Sequence, residues 1–383
     1  MKRRRYLKSL AAFLAGSPLI RAQQDPFRDH SRVPAIGELA DAFGFEAVAY
    51  AKQPRAAYDY PAYGAETEFT LRRNREAFEW VELVPNRIVQ TGTIQTATEL
   101  FGTKMAFPIL VSPTAGHGQL HPEGEMATHR GAAAASNTTM IVSNNSSFPF
   151  EKVAAAAESP LWVQLYPKQS LDVDREYLEK AQAAGARALV VTIDQQASVY
   201  ERALHDRNLN ATSRRFGIPP RSANSYRLPE SRLWYEWKFF DQIRPFVKVP
   251  ILAKGILTAE DAKICIERGL DGVYVSNHGG RSLDYGPSTL EVLPEIVDAV
   301  GGKALILLDS GVRRGTDILK ALALGANAVC LGRVPLWGLG SFGAAGVQRV
   351  LEILQSELVQ AMQFTGRPTL ASVDRKLALS DFP

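Results

Sequence analysis

A histidine, two glycines and an arginine occupy four consecutive positions within "SNHGGRSLD", residues 276–284. A neutral imidazole takes up a proton near pH 7. A guanidinium three residues later offers a planar fork that matches a carboxylate. His278 and Arg281 together therefore suit removal of a proton from a substrate held by its carboxylate, and Asp194, in "TIDQQ", is the candidate to orient the imidazole. The plain alternative is a turn, because Gly, Ser and Asn mark turns in any protein.

Two further groups of residues carry chemistry. "DSGVRRG" (309–315) and "LGR" (331–333) supply Asp309, Gly311, Arg313, Gly332 and Arg333. Their glycines let a backbone approach a phosphate closely, their arginines add charge-assisted bonds, and the helices that follow present free N–H groups. Ser143, Gln164, Thr192 and Lys254 each close a short apolar run. Such a set suits the edges of a flat heterocycle, with the lysine stabilising a reduced, anionic ring. The same lysine, in "LAKG", also suits a Schiff base with a carbonyl substrate. His117 and His121 have the spacing of metal ligands on a helix, but Gly116, Gly118 and Pro122 argue against one helix carrying both. "HPEGE" reads instead as a helix start, and no metal is expected.

Eight short β-rich runs must position these residues: "FPILVS", "TMIVS", "LWVQLY", "ALVVTI", "PILAK", "GVYVS", "ALILLD" and "NAVCLG". Between them lie segments such as "TAEDAKICIERGL" and "STLEVLPEIVDAV", several ending in glycine as helix C-termini prefer. The alternation predicts an α/β protein, a (β/α)8 TIM barrel with an N-terminal helical extension and a long insertion after strand 4. A doubly wound sheet also alternates in this way. The count of eight and the polar residues closing nearly every run favour the barrel, whose catalytic rim is where strand C-termini converge. Pro113-Thr114-Ala115, Tyr166 and Ser276 stand at such ends. Residues 35–370 are assigned to the barrel domain, 197–247 to a lid or partner-facing insertion, and 371–383 to a C-terminal tail.

Composition limits the partners. The chain has 383 residues, 46% hydrophobic and 22% charged, with a net charge of +4 that gives no case for nucleic acid. No apolar run approaches the roughly 20 residues needed to span a bilayer. Cys265 and Cys330 lie in apolar segments and read as buried free thiols. Residues 1–22, "MKRRRYLKSLAAFLAGSPLIRA", have a basic start, a short apolar middle and a small residue near a polar stretch. That outline predicts an export signal of twin-arginine type, with Arg3, Arg4 and Tyr6 as its motif and 23–34 as linker. It places the protein in the periplasm; a frayed basic tail on a cytoplasmic protein is the alternative.

Several long motifs in order carry a resemblance: "YDYPAYGAE", "SPTAGHGQLHPEGE", "QLY", "PILAKGILTAEDA", "SNHGGRSLDYGP" and "LLDSGVRRGTDILKALALGA". From about residue 40 to 365 the chain resembles the FMN-dependent α-hydroxy acid oxidases and dehydrogenases, the family of glycolate oxidase, lactate oxidase and mandelate dehydrogenase. The resemblance implies oxidation of a short, lactate- or glycolate-like L-2-hydroxy acid to the 2-oxo acid, with FMN as electron acceptor. It implies reoxidation by O2 or by a quinone or cytochrome, and a homotetramer. His278 looks like the family's base, oriented by Asp194. Arg281 and Tyr60 look like the carboxylate ligands, and Tyr166 like the partner of the substrate hydroxyl. Lys254 would sit at the N1–O2 edge of the flavin, and Ala115, beside Pro113 and Thr114, would meet its N5 side. Ser143, Gln164, Thr192 and Ser276 would complete the ring and ribityl contacts. Asp309, Gly311, Arg313, Gly332 and Arg333 would hold the ribityl chain and phosphate. Two positions depart from the family pattern. Glu201 stands in direct register with the family's second arginine, with Arg202 next to it, and Asn145 replaces a large aromatic contact found in some members. A flavin-dependent isomerase on the same barrel and a non-catalytic binding protein are the competing expectations.

Overall fold

The computed structural model describes residues 32–167, 170–194 and 236–383, so the export segment and most of the predicted insertion, Arg202 included, lie outside the described residues. Two compact units divide the chain at Glu38. The described part of the first is a 3-10 turn, Ile36–Glu38, where the Glu38 carboxylate accepts from Arg32 and from the Ala35 N–H.

In the second unit all eight predicted runs are strands: β1 (Ile109–Val111), β2 (Met140–Ser143), β3 (Leu161–Leu165), β4 (Leu189–Thr192), β5 (Ile251–Ile256), β6 (Gly272–Val275), β7 (Leu305–Leu308) and β8 (Ala328–Leu331). They form a closed parallel barrel, sealed where β8 pairs with β1 through Val329↔Ile109 and Leu331↔Val111. Strands covered on both faces need continuous apolar sequence, which is why these runs are unbroken instead of alternating. Leu110, Ile141, Trp162, Val190, Leu252 and Leu307 form the core cluster. Leu100 and Met105 of the hairpin Thr98–Leu100/Thr103–Met105 join the same cluster, and the Phe101 ring at its turn lies 5.6 Å from that of Trp162. Cys265 and Cys330 are free and buried.

Local sequence sets the helix limits. Ser288 and Glu291 form a capping box at the start of Thr289–Val300, and Gly301, at φ +58°, ends it. Thr258 caps Ala259–Glu267 by accepting from the Asp261 N–H. The last barrel helix, Arg333–Thr365, is two helices joined by a kink at Phe342 and Gly343. Ala378–Ser380 pairs antiparallel with Val81–Leu83, joining the segment before the barrel to the chain's last residues.

Three short helices before the barrel, Ala42–Lys52, Arg55–Ala62 and Phe69–Glu76, bring Tyr60 and Tyr63 to the rim. The third is fastened to the β6–helix connection at three points. Arg73 makes a two-pronged bond to Glu291 at 2.8 and 2.7 Å, and Asp284 accepts from the backbone N–H of Thr67 and Thr70. Asn74 and Asn277 exchange amide bonds at 2.9 and 2.7 Å. Gly311, at φ +88°, crosses this helix so closely that a Cβ would overlap the Asn74 carbonyl. Gly311→Ala is therefore expected to destabilise the protein by about 1–3 kcal/mol, the scale of combined αL strain and overpacking. Differential scanning calorimetry checks this, and an unchanged melting temperature would refute the tight crossing.

Candidate active site

One cavity of about 490 Å³ opens at the C-terminal ends of the strands. Tyr60, Tyr166, Lys254, His278 and Arg281 line it together with Pro113, Thr114 and Ala115 from the end of β1. Asp309, Gly311, Arg313, Gly332 and Arg333 line it from the loops after β7 and β8. Residues scattered over more than 270 positions of sequence thus meet at the rim where a (β/α)8 barrel keeps its chemistry.

His278 is set by both ring nitrogens and by its backbone. Nδ1 lies 2.8 Å from Asp194 Oδ1 and Nε2 lies 3.2 Å from the Tyr166 hydroxyl. An ionised carboxylate only accepts, so the neutral ring donates from Nδ1 and leaves Nε2 unprotonated at the cavity, accepting from the Tyr166 hydroxyl. Burial pushes the imidazole below its ordinary pKa of 6.5; Asp194 opposes that shift, while the Lys254 and Arg281 cations add to it. For Asp194, burial works to raise the pKa, but interaction with His278 and the Lys254 cation prevails and holds the carboxyl below its ordinary value. The pair is therefore a neutral base backed by an anion.

The backbone around His278 is unusual. His278, Gly279 and Gly280 have φ of +59°, +68° and +74° in succession. The Asn277 side chain holds this turn, accepting from the Gly280 N–H at 3.0 Å and donating to the Pro287 carbonyl at 3.0 Å, beside its exchange with Asn74.

Arg281 is packed between two tyrosine rings, 5.1 Å from the Tyr60 centroid and 4.1 Å from that of Tyr63. It donates to the Tyr60 carbonyl at 2.6 Å and to the Tyr63 hydroxyl at 2.5 Å. Tyr63 was visible in sequence only as one of three tyrosines in "YDYPAYGAE"; its grip on Arg281 depends on a pairing 218 positions apart that spacing does not reveal.

Lys254, 2% exposed, donates to Ser276 Oγ at 2.9 Å and lies 3.8 Å from Asp194 and 3.9 Å from Asp309. Ser143, Gln164 and Thr192 are buried and form a chain: the Ser143 hydroxyl donates to Gln164 Oε1 at 2.9 Å, and Gln164 Nε2 donates to Thr192 Oγ1 at 2.9 Å. The structure brings these three together at the strand ends, next to the cavity lining and not within it. Sequence reading passed over Ser112, Tyr274 and Ser310. Ser112 bonds the Tyr274 hydroxyl at 2.8 Å and donates to Asp309 at 3.1 Å. The His117 ring bridges Thr114 at 2.7 Å and Thr128 at 2.9 Å, and no group of three or more potential metal-ligating side chains occurs among the described residues.

The cavity suits FMN in size, falling within the roughly 300–1,000 Å³ of small-molecule sites. Its charge suits a phosphate. Burial, with repulsion from Arg281 and Arg313, pushes the Arg333 guanidinium down to about 9. Burial, with repulsion from Arg75, pushes Arg313 to about 10. Glu46 offsets part of this crowding at both. Guanidiniums buried this close together are relieved by an anion, and the helix beginning at Arg333 adds its unpaired N–H groups. The residues present therefore fit the group.

Relatives and solved structures agree with this geometry. The chain is 38% identical over 350 residues to a peroxisomal (S)-2-hydroxyacid oxidase of Arabidopsis thaliana, covering 89% of this chain and 96% of the other. It is 36% identical over 359 residues to glycolate oxidase 1 of Zea mays, covering 90% and 97%. A soluble mutant of the membrane-associated (S)-mandelate dehydrogenase of Pseudomonas putida superposes with a TM-score of 0.81 at 33% identity, over 90% of this chain and 100% of the other. A mandelate oxidase with (S)-2-phenylpropionate gives 0.79 at 32%, over 90% and 99%. A family model described as FMN-dependent dehydrogenase matches residues 49–380, nearly all of the larger unit, and on these grounds the chain belongs to the FMN-dependent dehydrogenase family.

Proposed function

We propose that this FMN-dependent enzyme oxidises a short L-2-hydroxy acid, of lactate or glycolate size, to the 2-oxo acid. The observation that carries the reading is a single cavity in which a neutral histidine backed by Asp194 stands three residues from a tyrosine-packed arginine. Arg281 and Tyr60 hold the substrate carboxylate. Oxidation of the CH–OH group removes two hydrogens and two electrons: His278 Nε2 takes up one hydrogen as a proton, from Cα or from the hydroxyl, Tyr166 bonds the substrate hydroxyl, and Asp194 stabilises the imidazolium that results. FMN, when bound, would accept the electron pair and the other hydrogen. Lys254 would place a positive charge beside the reduced ring, and Arg313 and Arg333 would hold the cofactor phosphate. Isomerisation does not require the carboxylate clamp that Arg281 supplies, which leaves oxidation as the reading for this barrel.

Anaerobic titration of the holoenzyme with L-lactate and glycolate, followed at the flavin absorbance, tests the proposal. Bleaching supports it, and a flavin that no 2-hydroxy acid bleaches refutes it. Readmitting air then separates reoxidation by O2 from reoxidation by a quinone or cytochrome. The pH dependence adds a sign. The reactive form of His278 is the neutral one, and its pKa is lowered, so kcat/KM should rise with pH through a limb centred below pH 6.5. Asp194→Asn removes the anion that opposes the shift and should move that limb lower still, with a lower plateau. A limb above pH 7 in the wild-type enzyme would contradict the assignment.

Residues 1–22 support export by a twin-arginine route, which carries folded proteins and so suits a chain that acquires a cofactor first. Fractionation of a host expressing the full chain tests this, and Arg3→Lys with Arg4→Lys should retain the protein in the cytoplasm. A homotetramer is the assembly that the family resemblance supports, testable by sedimentation. No helix among the described residues is long and apolar enough to cross a membrane.

A further inference from the structure

Ser310 is a serine where the backbone favours glycine: its φ is +79°, in the left-handed region that a Cβ disfavours. Such conformations persist where something else requires the residue. The residue is 9% exposed, lines the cavity and sits between Asp309 and Gly311 in the loop assigned to the cofactor chain and phosphate. Its hydroxyl is engaged on both sides. It donates to Asp309 Oδ1 at 2.8 Å and accepts from the Gly279 N–H at 3.0 Å. Gly279 follows His278 directly, inside the turn of three consecutive positive φ angles.

We propose that Ser310 is a positioning residue for the proton-transfer step, its hydroxyl tying the loop after β7 to the backbone that aims His278. Glycine would accept this backbone without strain but has no hydroxyl to reach Gly279, so the strained serine is kept for its bond. A carboxylate partner orients the hydroxyl: Asp309 only accepts, which fixes the serine proton toward it and leaves the oxygen lone pairs for the Gly279 N–H. Asp309 is itself held by Ser112 and faces Lys254, so the Gly279 amide is referenced to the barrel strands through one continuous set of bonds. Arg281, two residues beyond Gly279, takes no bond from Ser310 and is anchored by Tyr60 and Tyr63, while Arg333 donates to the Gly279 and Tyr63 carbonyls at 2.9 Å each and holds both stretches without the hydroxyl.

That independence makes the inference testable, and it rests on the reading of His278 as base. Ser310→Ala and Ser310→Gly both delete the hydroxyl, but only alanine keeps the strained Cβ. In holoenzyme, both variants should lower the limiting rate of anaerobic flavin reduction by about 10- to 100-fold, the scale set by misplacing a reacting group by about 1 Å. KM should stay within about threefold of wild type, and the acid limb of the reduction rate should move to higher pH as water reaches His278. The two variants should lose rate equally even where their melting temperatures differ. Recovery of the wild-type rate and pH profile in Ser310→Gly would show that only backbone strain matters and overturn the proposal, as would wild-type kinetics in both. Failure of 2-hydroxy acids to reduce the wild-type flavin would instead overturn the reading of the whole site.

Discussion

His278→Ala is expected to retain FMN and to lose about 10²–10⁴-fold in the limiting rate of flavin reduction by 2-hydroxy acid, the usual contribution of a positioned general base. The two effects separate because the structure separates their causes. In the proposed reading the cofactor's anionic end would be matched by Arg313 and Arg333, which line the cavity after β7 and β8, whereas His278 lies after β6 and touches Asp194 and Tyr166. Deleting the ring leaves Asp194 buried without the Nδ1–H donor that now bonds its Oδ1, and its carboxyl pKa should rise. Alanine at φ +59° is also strained, by roughly 1–2 kcal/mol. Asparagine tolerates that conformation better, so His278→Asn distinguishes loss of the base from distortion of the turn. Both variants should be yellow and slow. Stopped-flow reduction at an ordinary rate in either one would remove His278 from the base role.

The barrel was legible because parallel strands buried on both faces leave an unbroken apolar signature; seven of the eight runs contain their strand within two residues at either end, and β5 continues two residues past "PILAK" to Ile256. The rim was legible for a related reason: once eight parallel runs close into a ring, the polar residues that end them must converge at one mouth. Which side chains then pair was not legible. Asn74 and Asn277 are 203 positions apart and Tyr63 and Arg281 are 218 apart, and composition says nothing about a bond made only when two distant loops cross. Ser143, Gln164 and Thr192 show how far strand-end reading reaches. Each is expected to meet the flavin, and what the sequence did not show is that they also bond one another, a buried hydroxyl and amide finding neighbours at the same level of the barrel. Ser310 left no sequence signal at all, because a serine in a glycine-rich turn looks ordinary until its φ is known. Arg202 and the export motif remain readings of sequence.

Arg281→Met should lower kcat/KM for a 2-hydroxy acid by about 30- to 3,000-fold, corresponding to the roughly 2–5 kcal/mol lost when one partner of a buried, hydrogen-bonded charge pair is removed. Most of the loss belongs in KM, because the carboxylate is bound in the ground state as firmly as in the transition state. Arg281→Lys should recover little. The guanidinium packs between the Tyr60 and Tyr63 rings while bonding the Tyr60 carbonyl and the Tyr63 hydroxyl, and an ammonium is a point charge without that fork. A second consequence follows from charge alone. Arg281 is one of the cations that push His278 down, so its removal should move the acid limb of kcat/KM to higher pH. The decisive comparison uses a 2-hydroxy acid and its methyl ester. Wild-type enzyme should prefer the acid by a factor similar to the loss in Arg281→Met, and the variant should treat acid and ester nearly alike. A variant that still prefers the acid as strongly as wild type would mean that another group holds the carboxylate.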